Sequence, residues 1–428
     1  MHIRNQWLNS ALLLAAGLLF ARQAKAQESV SILVNENGTE HTETIDLPMS
    51  MTYPLDSLLN DWKAKTYIDL GKDCNTSQVN PQFSDSVYID RLSRMPVIME
   101  MPYNDIVRKF IDTYTGRLRS QVSFMLSACN FYMPIFEEAL DAYNLPLELK
   151  YLPIIESALN PSAVSRAGAS GLWQFMLSTG KLYGLESNSL VDERRDPIKA
   201  TWAAARYLKD MYDIYKDWNL VIAAYNCGPG NINKAIRRAN GKTDYWEIYN
   251  YLPRETRGYV PAFIAANYVM TYYCKHNICP METNIPQATD TVLVSRNLHF
   301  QQIADICHVP LDEIKSLNPQ YKRDIVPGDS KPRALRLPTE AISTFLDNQD
   351  TIYAHRSDEL FKNRRIVASV NRQSKASDNG DLTYYRIRQG DTLGGIARKF
   401  GVSVRQLRRW NNLHNNRIRA GRRLKIYK

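Results

Sequence analysis

Glu156 is the residue whose type and surroundings are best suited to chemistry. It follows an apolar run that ends at Ile155, and the polar string SALNPSAVSRAGASG comes directly after it. A carboxyl group in apolar surroundings has its charged form disfavoured, so it keeps a proton near neutral pH and can give it to a leaving oxygen. A glutamate at the end of a helix can also simply face water, so the rest of the sequence must decide between the two interpretations.

If the leaving oxygen belongs to a sugar bond, a second carboxyl group is expected, because glycosidases use one to protonate that oxygen and another as nucleophile or to activate water. No second candidate is found. The segment between Glu156 and Gln174 contains no other acidic residue, and the next acids are better explained by capping in a polar loop: Glu186, Asp192, Glu193 and Asp196. A single acid can still cleave a sugar bond if a hydroxyl of the same sugar attacks and returns its proton to that acid. The product is then an anhydro sugar, and no water is consumed.

The hydrophobic pattern predicts that an all-helical domain, residues 96–280, positions Glu156. Apolar residues in its first part recur at three- and four-residue spacing, which is the helical period. Asp196 and Pro197 are typical of an N-cap followed by a first-turn proline, and they open a helix that continues to Tyr215. Further helices are predicted at 218–225, 232–238 and 259–276.

The N-terminal part of the chain indicates export. Residues 1–26 have a basic start, an apolar middle and a small-residue cleavage site at Ala24-Lys25-Ala26, which are the features of a signal peptide. The apolar middle is shorter than the ~20 residues that span a bilayer, and no lipid-anchor cysteine follows it closely. We expect a soluble product in the periplasm or cell envelope. Residues 27–95 are polar and irregular, an extension of unknown role.

Cysteine spacing gives no indication of a metal site or a cofactor, and neither is expected. An even number of cysteines in an oxidising compartment permits disulfides, but the pairing cannot be deduced from sequence. The six are Cys74, Cys129, Cys227, Cys274, Cys279 and Cys307.

Positive charge is concentrated at the C-terminal end. Residues 384–428 contain 13 Lys and Arg residues and one acid, whereas the whole chain of 428 residues has a net charge of +10. Such a basic stripe suits nucleic acid, an anionic membrane or an anionic polymer. Export argues against nucleic acid, which leaves a partner in the envelope or a face that is merely solvated.

The C-terminal third contains two copies of one small module. Residues 384–428 alternate as a strand, form two short helices and close with a strand, which predicts a βααβ order. Residues 288–338 follow the same order, and Leu317-Asn318 matches Trp410-Asn411. Between the copies, residues 339–383 end in a polar run and are interpreted as a flexible linker.

The last module resembles the LysM domain, which binds polymers that contain N-acetylglucosamine. The positions that carry the resemblance include Gly390, Asp391, Thr392, Leu393 and Asn411. The resemblance implies that 390–393 and the loop after Asn411 contact the glycan, through backbone groups that bond acetamido groups. The earlier copy lacks the Gly-Asp-Thr element, so its role is either glycan binding or that of a spacer.

The helical domain resembles the lytic murein transglycosylases of the lysozyme-like superfamily, and the whole layout resembles the membrane-bound transglycosylase D type with LysM repeats. Four strings carry the resemblance, and they occur in the order of the family: Glu156-Ser157 with Asn160-Pro161, GLWQ at 171–174, AYNCGPG at 224–230 and ETRGYV at 255–260. The resemblance implies a mainly α catalytic domain of lysozyme-like fold, followed by small α+β (βααβ) LysM modules.

The same resemblance implies an activity and a set of site residues. The activity is cleavage of the β-1,4 bond between N-acetylmuramic acid and N-acetylglucosamine of peptidoglycan, leaving 1,6-anhydro-muramyl ends, with Glu156 as acid and then base. The substrate is the glycan strand, and the enzyme would lie peripherally at the cell wall or outer membrane. The implied substrate-binding residues are Ser165, Gln174, Tyr225, Asn226 and Tyr259. Trp173, where many relatives have methionine, is expected to narrow the groove or stack in it.

Structural alternatives exist for these residues. Tyr225 and Asn226 can merely end a helix, Tyr259 can be a core residue, and Ser165 can cap a turn or face water.

Two other functions remain open from the sequence. A hydrolase of the goose-lysozyme kind would share Glu156 and the fold, would leave a reducing sugar, and would use an additional acid to position water. A wall-binding protein without activity would keep the LysM tail and tolerate loss of Glu156. The intact acid favours an enzyme.

Overall fold

The computed structural model describes residues 28–36, 39–53, 77, 79–281, 288–361, 382–411, 413, 415–416 and 418–427. These residues divide into two compact units, with the boundary between His355 and Arg356. The predicted signal peptide lies outside the described residues. Within the described part of the chain, no helix is both long enough and apolar enough to cross a membrane.

The first unit is mainly helical up to residue 281, as the hydrophobic pattern predicts. Its α-helices within the described residues are α1 (Asp85–Ser93), α2 (Asp105–Thr115), α3 (Arg119–Ala142), α4 (Leu152–Ser157), α5 (Leu177–Leu182), α6 (Pro197–Tyr215), α7 (Trp218–Cys227), α8 (Pro229–Arg238), α9 (Tyr245–Ile248) and α10 (Arg254–Tyr272). Short 3-10 helices lie at Met49–Thr52, Leu147–Tyr151, Glu193–Arg195, Tyr249–Tyr251 and Tyr273–His276. The Asp196 side chain caps α6, accepting from the amides of Ile198 and Lys199 at 3.0 Å each.

Helix α10 forms the centre of this helical domain. Most of its residues are buried, and it packs against α2, α7 and α4. A helix that is apolar on nearly all sides needs neighbours all around it, and this arrangement fixes where its side chains point. Tyr259, on this helix, is 2% exposed.

The described parts of the N-terminal extension, residues 27–95, contain regular secondary structure, which corrects the expectation of an irregular segment there. Strands β1 (Ser29–Glu36) and β2 (Thr39–Asp46) form an antiparallel hairpin, and β2 packs against α10. Ile45 and Leu47 are buried in the same core as residues of α2, α4, α7 and α10. The strands contain many polar residues, so the tertiary contact with α10, more than an apolar pattern, selects the strand conformation.

The next part of the first unit, residues 288–354, is here called the first module. Its strands are β3 (Thr289–Val294), β4 (Asn297–His299), β5 (Ile325–Pro327) and β6 (Arg333–Pro338), and its first helices are α11 (Phe300–Cys307) and α12 (Leu311–Leu317). Strands β3 and β6 pair antiparallel, as do β4 and β5. A 3-10 helix lies at Lys322–Asp324.

Residues 339–354 are folded, which corrects the prediction of a linker from 339 to 383 over this stretch. They form α13 (Thr339–Asp347) and α14 (Gln349–Ala354). Phe345 is 1% exposed and Ile352 is fully buried. The segment is polar overall, but a few apolar residues at helical spacing are enough to pack both helices against the rest of the first module. The following helix α15 (Ser357–Leu360) belongs to the second unit.

The tail module, residues 382–427, has the predicted βααβ order. It consists of β7 (Leu382–Arg386), α16 (Leu393–Phe400), α17 (Val404–Trp410) and β8 (Arg423–Tyr427), with β7 and β8 antiparallel. Asn411 supports the repeat relationship with the first module. Its side chain donates to the Lys425 carbonyl and accepts from the Lys425 amide. The Asn318 side chain makes the same two bonds with the backbone of Arg336.

Candidate active site

Glu156 lies in the last turn of α4, where the chain turns sharply. The residues that follow the helix, Ala158 and Leu159, have φ angles of 51° and 60°, in the left-handed region that non-glycine residues rarely adopt. The Leu159 amide reaches back to the carbonyl of Pro153 at 3.2 Å, which closes the helix. Backbone strain of this kind is often stored at functional sites. The turn leaves Glu156 partly exposed while its neighbours in the chain are buried.

The surroundings of the Glu156 carboxyl favour its protonated form. The pKa of Glu156 is raised to about 8, chiefly because burial disfavours the charged form; the hydrogen bond from the Tyr259 hydroxyl lowers the pKa, and the negative charge of Glu255 raises it. That hydroxyl donates a hydrogen bond to Glu156 Oε1. Glu156 is therefore protonated at neutral pH and has a donor in place to stabilise its carboxylate when the proton leaves.

Glu255 is a second acidic residue whose charge acts on the Glu156 carboxyl, and it is not among the site residues predicted from the sequence. Desolvation raises its pKa, the charge of Asp46 adds to the shift, and hydrogen bonding from the Asn226 amide opposes it. Glu255 lies in the ETRGYV string, far from Glu156 in sequence, and its side chain is exposed. That Glu156 works without a second catalytic carboxyl group stays a prediction.

The loop that carries Gln174 is held in place by a close contact with the backbone of Arg194. A Cβ on Gly171, whose φ is +88°, would lie 1.8 Å from the carbonyl oxygen of Arg194, so only glycine permits this approach. Gln174 has a φ of 45°. Its side-chain amide donates to the backbone carbonyls of Ala163 and Gly171 at 3.2 and 2.8 Å. The Gln174 side chain is thus held at the edge of the loop, partly exposed.

Trp173 does not line the groove, which corrects the expectation that it narrows it. The side chain is fully buried, and its indole nitrogen donates to Thr201 Oγ1 at 2.9 Å. Its backbone carbonyl accepts from the Tyr225 hydroxyl at 2.7 Å. Tyr225 is partly exposed; burial and the charge of Glu156 raise the pKa of its hydroxyl, so it lies within electrostatic reach of the acid.

Ser165 and Asn226 make local contacts. The Ser165 hydroxyl accepts from the amide of Ala169 at 3.0 Å, which closes a turn beside Gly168, as the capping alternative predicts. Asn226 accepts from the Thr256 hydroxyl at 2.8 Å. Tyr259 bonds Glu156 directly, and Tyr225 is close enough to interact with its charge. Asn226 bonds Glu255, whose charge also acts on Glu156. The structure shows no contact between Ser165 and Glu156. Ser157, to which no role was assigned, donates to the Leu172 carbonyl at 2.9 Å and ties α4 to the Gln174 loop.

Comparison with known proteins decides the family. Three family models match: the transglycosylase SLT domain at residues 133–248, the LysM-like domain of lytic transglycosylase MltD at 288–354 and the LysM domain at 385–426. Membrane-bound lytic murein transglycosylase D of Escherichia coli K12 is 31% identical over 334 residues, which cover 77% of this chain and 70% of that protein. The chain belongs to the lytic murein transglycosylases.

Two further comparisons give shorter matches to this transglycosylase. Soluble lytic murein transglycosylase of Escherichia coli K12 is 32% identical over 124 residues, covering 28% of this chain and 19% of that protein. The crystal structure of the 70 kDa soluble lytic transglycosylase of Escherichia coli covers 35% of this chain and 26% of that chain, with 27% identity and a TM-score of 0.30. The enzymatic function and the lysozyme-like, mainly helical fold class follow from family membership.

The acids predicted as caps in 186–196 also join the transglycosylase domain to the first module. The Arg333 guanidinium, 4% exposed, binds both Glu186 oxygens at 2.9 and 3.1 Å and lies 3.6 Å from Glu193. An isolated β-bridge pairs Val191 with Tyr321. The module therefore packs against the loop next to the active site through a buried ion-pair cluster and backbone bonds.

Arg194 continues this connection towards the Gln174 loop. It pairs with Asp192 at 2.8 Å, and its guanidinium donates to the carbonyls of Gly168 and Phe175 at 2.8 and 3.0 Å. The first module, the 186–196 loop and the Gln174 loop thus form one continuous set of contacts.

Most of the predicted LysM contact residues use their side chains for contacts within the tail module. Asp391 accepts from the Arg388 amide and the Tyr385 hydroxyl at 2.8 and 2.9 Å. Thr392 caps α16, and Leu393 is 2% exposed. Gly390 has a φ of +89°, and the Asn411 side chain is used by backbone bonds. Glycan contact through backbone groups at these positions stays a prediction.

Two observations concern metal and sulfur chemistry. Among the described residues, no group of three or more His, Cys, Asp or Glu side chains is arranged to hold a metal ion. Cys279 is disulfide-bonded, whereas four other cysteines are free: Cys129, Cys227, Cys274 and Cys307.

Proposed function

We propose that this transglycosylase cleaves the β-1,4 bond between N-acetylmuramic acid and N-acetylglucosamine of peptidoglycan and leaves a 1,6-anhydro-muramyl end. The observation that carries the proposal is the raised pKa of Glu156, about 8, together with the Tyr259 hydroxyl bonded to its carboxyl group. This pair supports an acid that gives up its proton and then takes one back.

In the first step, Glu156 donates its proton to the glycosidic oxygen as the bond to the muramyl C1 breaks. Positive charge develops on that sugar, and the new Glu156 carboxylate, held by Tyr259, faces it. In the second step, the muramyl 6-hydroxyl attacks C1 and passes its proton to Glu156. The ring closes, the acid is restored, and no water is used.

Groove residues supply orientation, because a transition state of this kind needs positioned hydrogen-bond partners. Gln174 and Tyr225, both partly exposed, are proposed to contact the sugars on the side of the Gln174 loop. Asn226 is proposed to act together with Glu255, which it bonds. Ser165 is proposed to hold the substrate from its turn, with the hydroxyl proton free to donate while the oxygen accepts from Ala169.

Peptidoglycan strands are the proposed partner, and the periplasm or cell envelope is the proposed location. The basic start and apolar middle of residues 1–26 support export, and the LysM match at 385–426 supports attachment to the wall. We infer that nucleic acid is not a partner, because the exported enzyme would not meet it. The domain limits proposed from sequence, including 96–280 for the catalytic domain and 384–428 for the LysM domain, serve for the design of variants.

Deletion of residues 384–428 should weaken attachment to purified sacculi, most strongly at low salt. The segment carries 13 basic residues, and their attraction to anionic groups is screened as ionic strength rises. Pelleting of the full chain and the truncated chain with sacculi at low and high salt measures the effect. Equal pelleting of both chains at every salt concentration would mean that the tail only improves solubility.

Glu255 gives the hydrolase alternative a specific candidate, because a hydrolase needs an additional acid near Glu156 to position water. Digestion of sacculi followed by mass spectrometry of the fragments separates the two reactions by the presence or absence of one water in the product. A wall-binding protein without activity would release no fragments.

A further inference from the structure

The N-terminal residues 28–36 and 39–53, here called the N-terminal brace, contact the catalytic domain beside both reacting groups. One contact lies at the residue before Glu156, and the other lies at the residue before Tyr259. We propose that the brace positions Glu156 and Tyr259 relative to each other. The inference rests on the proposed function of Glu156 and adds positioning residues from outside the domain that carries the acid.

The first contact is made by Ser50. Its side chain is 4% exposed, and its hydroxyl donates to the backbone carbonyl of Ile155. Helix α4 ends two residues later, and the Leu159 amide, which would normally bond this carbonyl, turns to Pro153 instead. Carbonyls in the last turn of a helix need a donor from elsewhere. Ser50 supplies that donor next to Glu156.

The second contact is made by Ile45 and Asp46 against Gly258. A Cβ on Gly258 would lie 2.6 Å from Ile45 Cγ2 and 2.9 Å from the Asp46 carbonyl oxygen. The brace therefore approaches the backbone of α10 as closely as glycine allows, one residue before Tyr259.

Ion pairs fix the brace on this helix. Asp46 pairs with Arg254 at 3.2 Å, and Glu43 pairs with Arg257 at 3.2 Å. The two arginines flank Glu255 in the chain, so the brace holds the whole start of α10 in place.

Helices α4 and α10 provide the two halves of the Glu156–Tyr259 hydrogen bond, and the brace touches both. Displacement of about 1 Å between reacting groups can reduce catalysis about 100-fold. Loss of the Ser50 contact removes a donor at the end of α4, which carries Glu156. We therefore expect a larger effect on kcat, which depends on the position of Glu156, than on KM.

The test compares Ser50→Ala with Ser50→Thr and a matched control, Thr52→Ala. We expect kcat on soluble peptidoglycan strands to fall roughly 10-fold in S50A, with KM unchanged within about two-fold, and to recover in S50T. Thr52 lies in the same 3-10 helix, but its hydroxyl bonds only to the Met49 carbonyl at 2.7 Å among the bonds described, so T52A should keep wild-type kcat.

Gly258→Ala provides a second variant, because its methyl group would clash with Ile45 and Asp46 of the brace and, less closely, with Phe110 of α2. All variants are assayed well below the lowest melting temperature of the set. Wild-type kcat in both S50A and G258A would overturn the inference, and so would an equal loss of kcat in T52A. Glu156→Gln in the same assay tests the proposed function separately, since turnover in that variant would contradict the role of Glu156 whatever S50A shows.

Discussion

Glu156→Gln should reduce release of fragments from peptidoglycan by about 1,000-fold or more. General acid-base catalysis by one side chain contributes about 100- to 10,000-fold, and here one carboxyl group performs both proton transfers. Glutamine has nearly the same shape and can still accept from Tyr259, so the fold and attachment to sacculi should persist. The measurement is the initial rate of fragment release. Glu138→Gln makes the same chemical change at an exposed site and should retain full activity.

The same variant should be more stable than the wild type at high pH. Because the pKa of Glu156 is raised from 4.5 to about 8, the unfolded chain loses this proton at lower pH than the folded chain does. The folded state is therefore penalised increasingly as pH rises from about 4.5 to about 8. Glutamine removes the penalty, so the gain in melting temperature should be small at pH 5 and larger at pH 8. An equal gain at both pH values would contradict the raised pKa.

Arg333→Met should destabilise the first unit by about 1–3 kcal/mol, because it removes the buried guanidinium that binds Glu186 and lies beside Glu193. Arg333 is 4% exposed, and Glu193, 3.6 Å away, is similarly buried. Lys331 remains beside Glu186 at 3.0 Å and Lys199 beside Glu193 at 2.6 Å, and these partly exposed lysines compensate only in part. The measurement is the free energy of unfolding from urea denaturation followed by tryptophan fluorescence.

Arg296→Met is the matched control for Arg333. Arg296 pairs with Asp350 at 3.7 Å, but both side chains are exposed, by 60% and 104%. Exposed pairs typically contribute about 0–1 kcal/mol, so R296M should be close to the wild type. If R333M were as stable as R296M, the first module would not depend on the buried ion-pair cluster for its attachment.

The helices of the catalytic domain could be predicted because their signals are local. Asp196 and Pro197 mark the start of α6 within a few residues, and the apolar period of the chain marks its buried face. The βααβ order of the modules was readable for the same reason, since caps such as Ser403 lie next to the helices that they begin.

Features that depend on distant parts of the chain could not be predicted. Glu255 has no sequence signal that places it near Glu156, since only the packing of α10 against α4 does so. The polar hairpin is selected by its contact with α10, and α13 is selected by burial of Phe345 in the first module. Trp173 was misassigned because an aromatic residue in a motif can equally be a core residue, and its indole donor is satisfied by Thr201.

The fragments that the wild-type enzyme releases from purified sacculi show whether water or the 6-hydroxyl of the sugar attacks C1. Mass spectrometry should show muramyl ends that are lighter by one water than hydrolysed ends, because the 6-hydroxyl of the sugar, not water, attacks C1. Incubation in ¹⁸O-labelled water should leave these ends unlabelled. Hydrated, labelled reducing ends as the main product would rule out attack by the 6-hydroxyl and would assign water activation to the Glu255 side of the site.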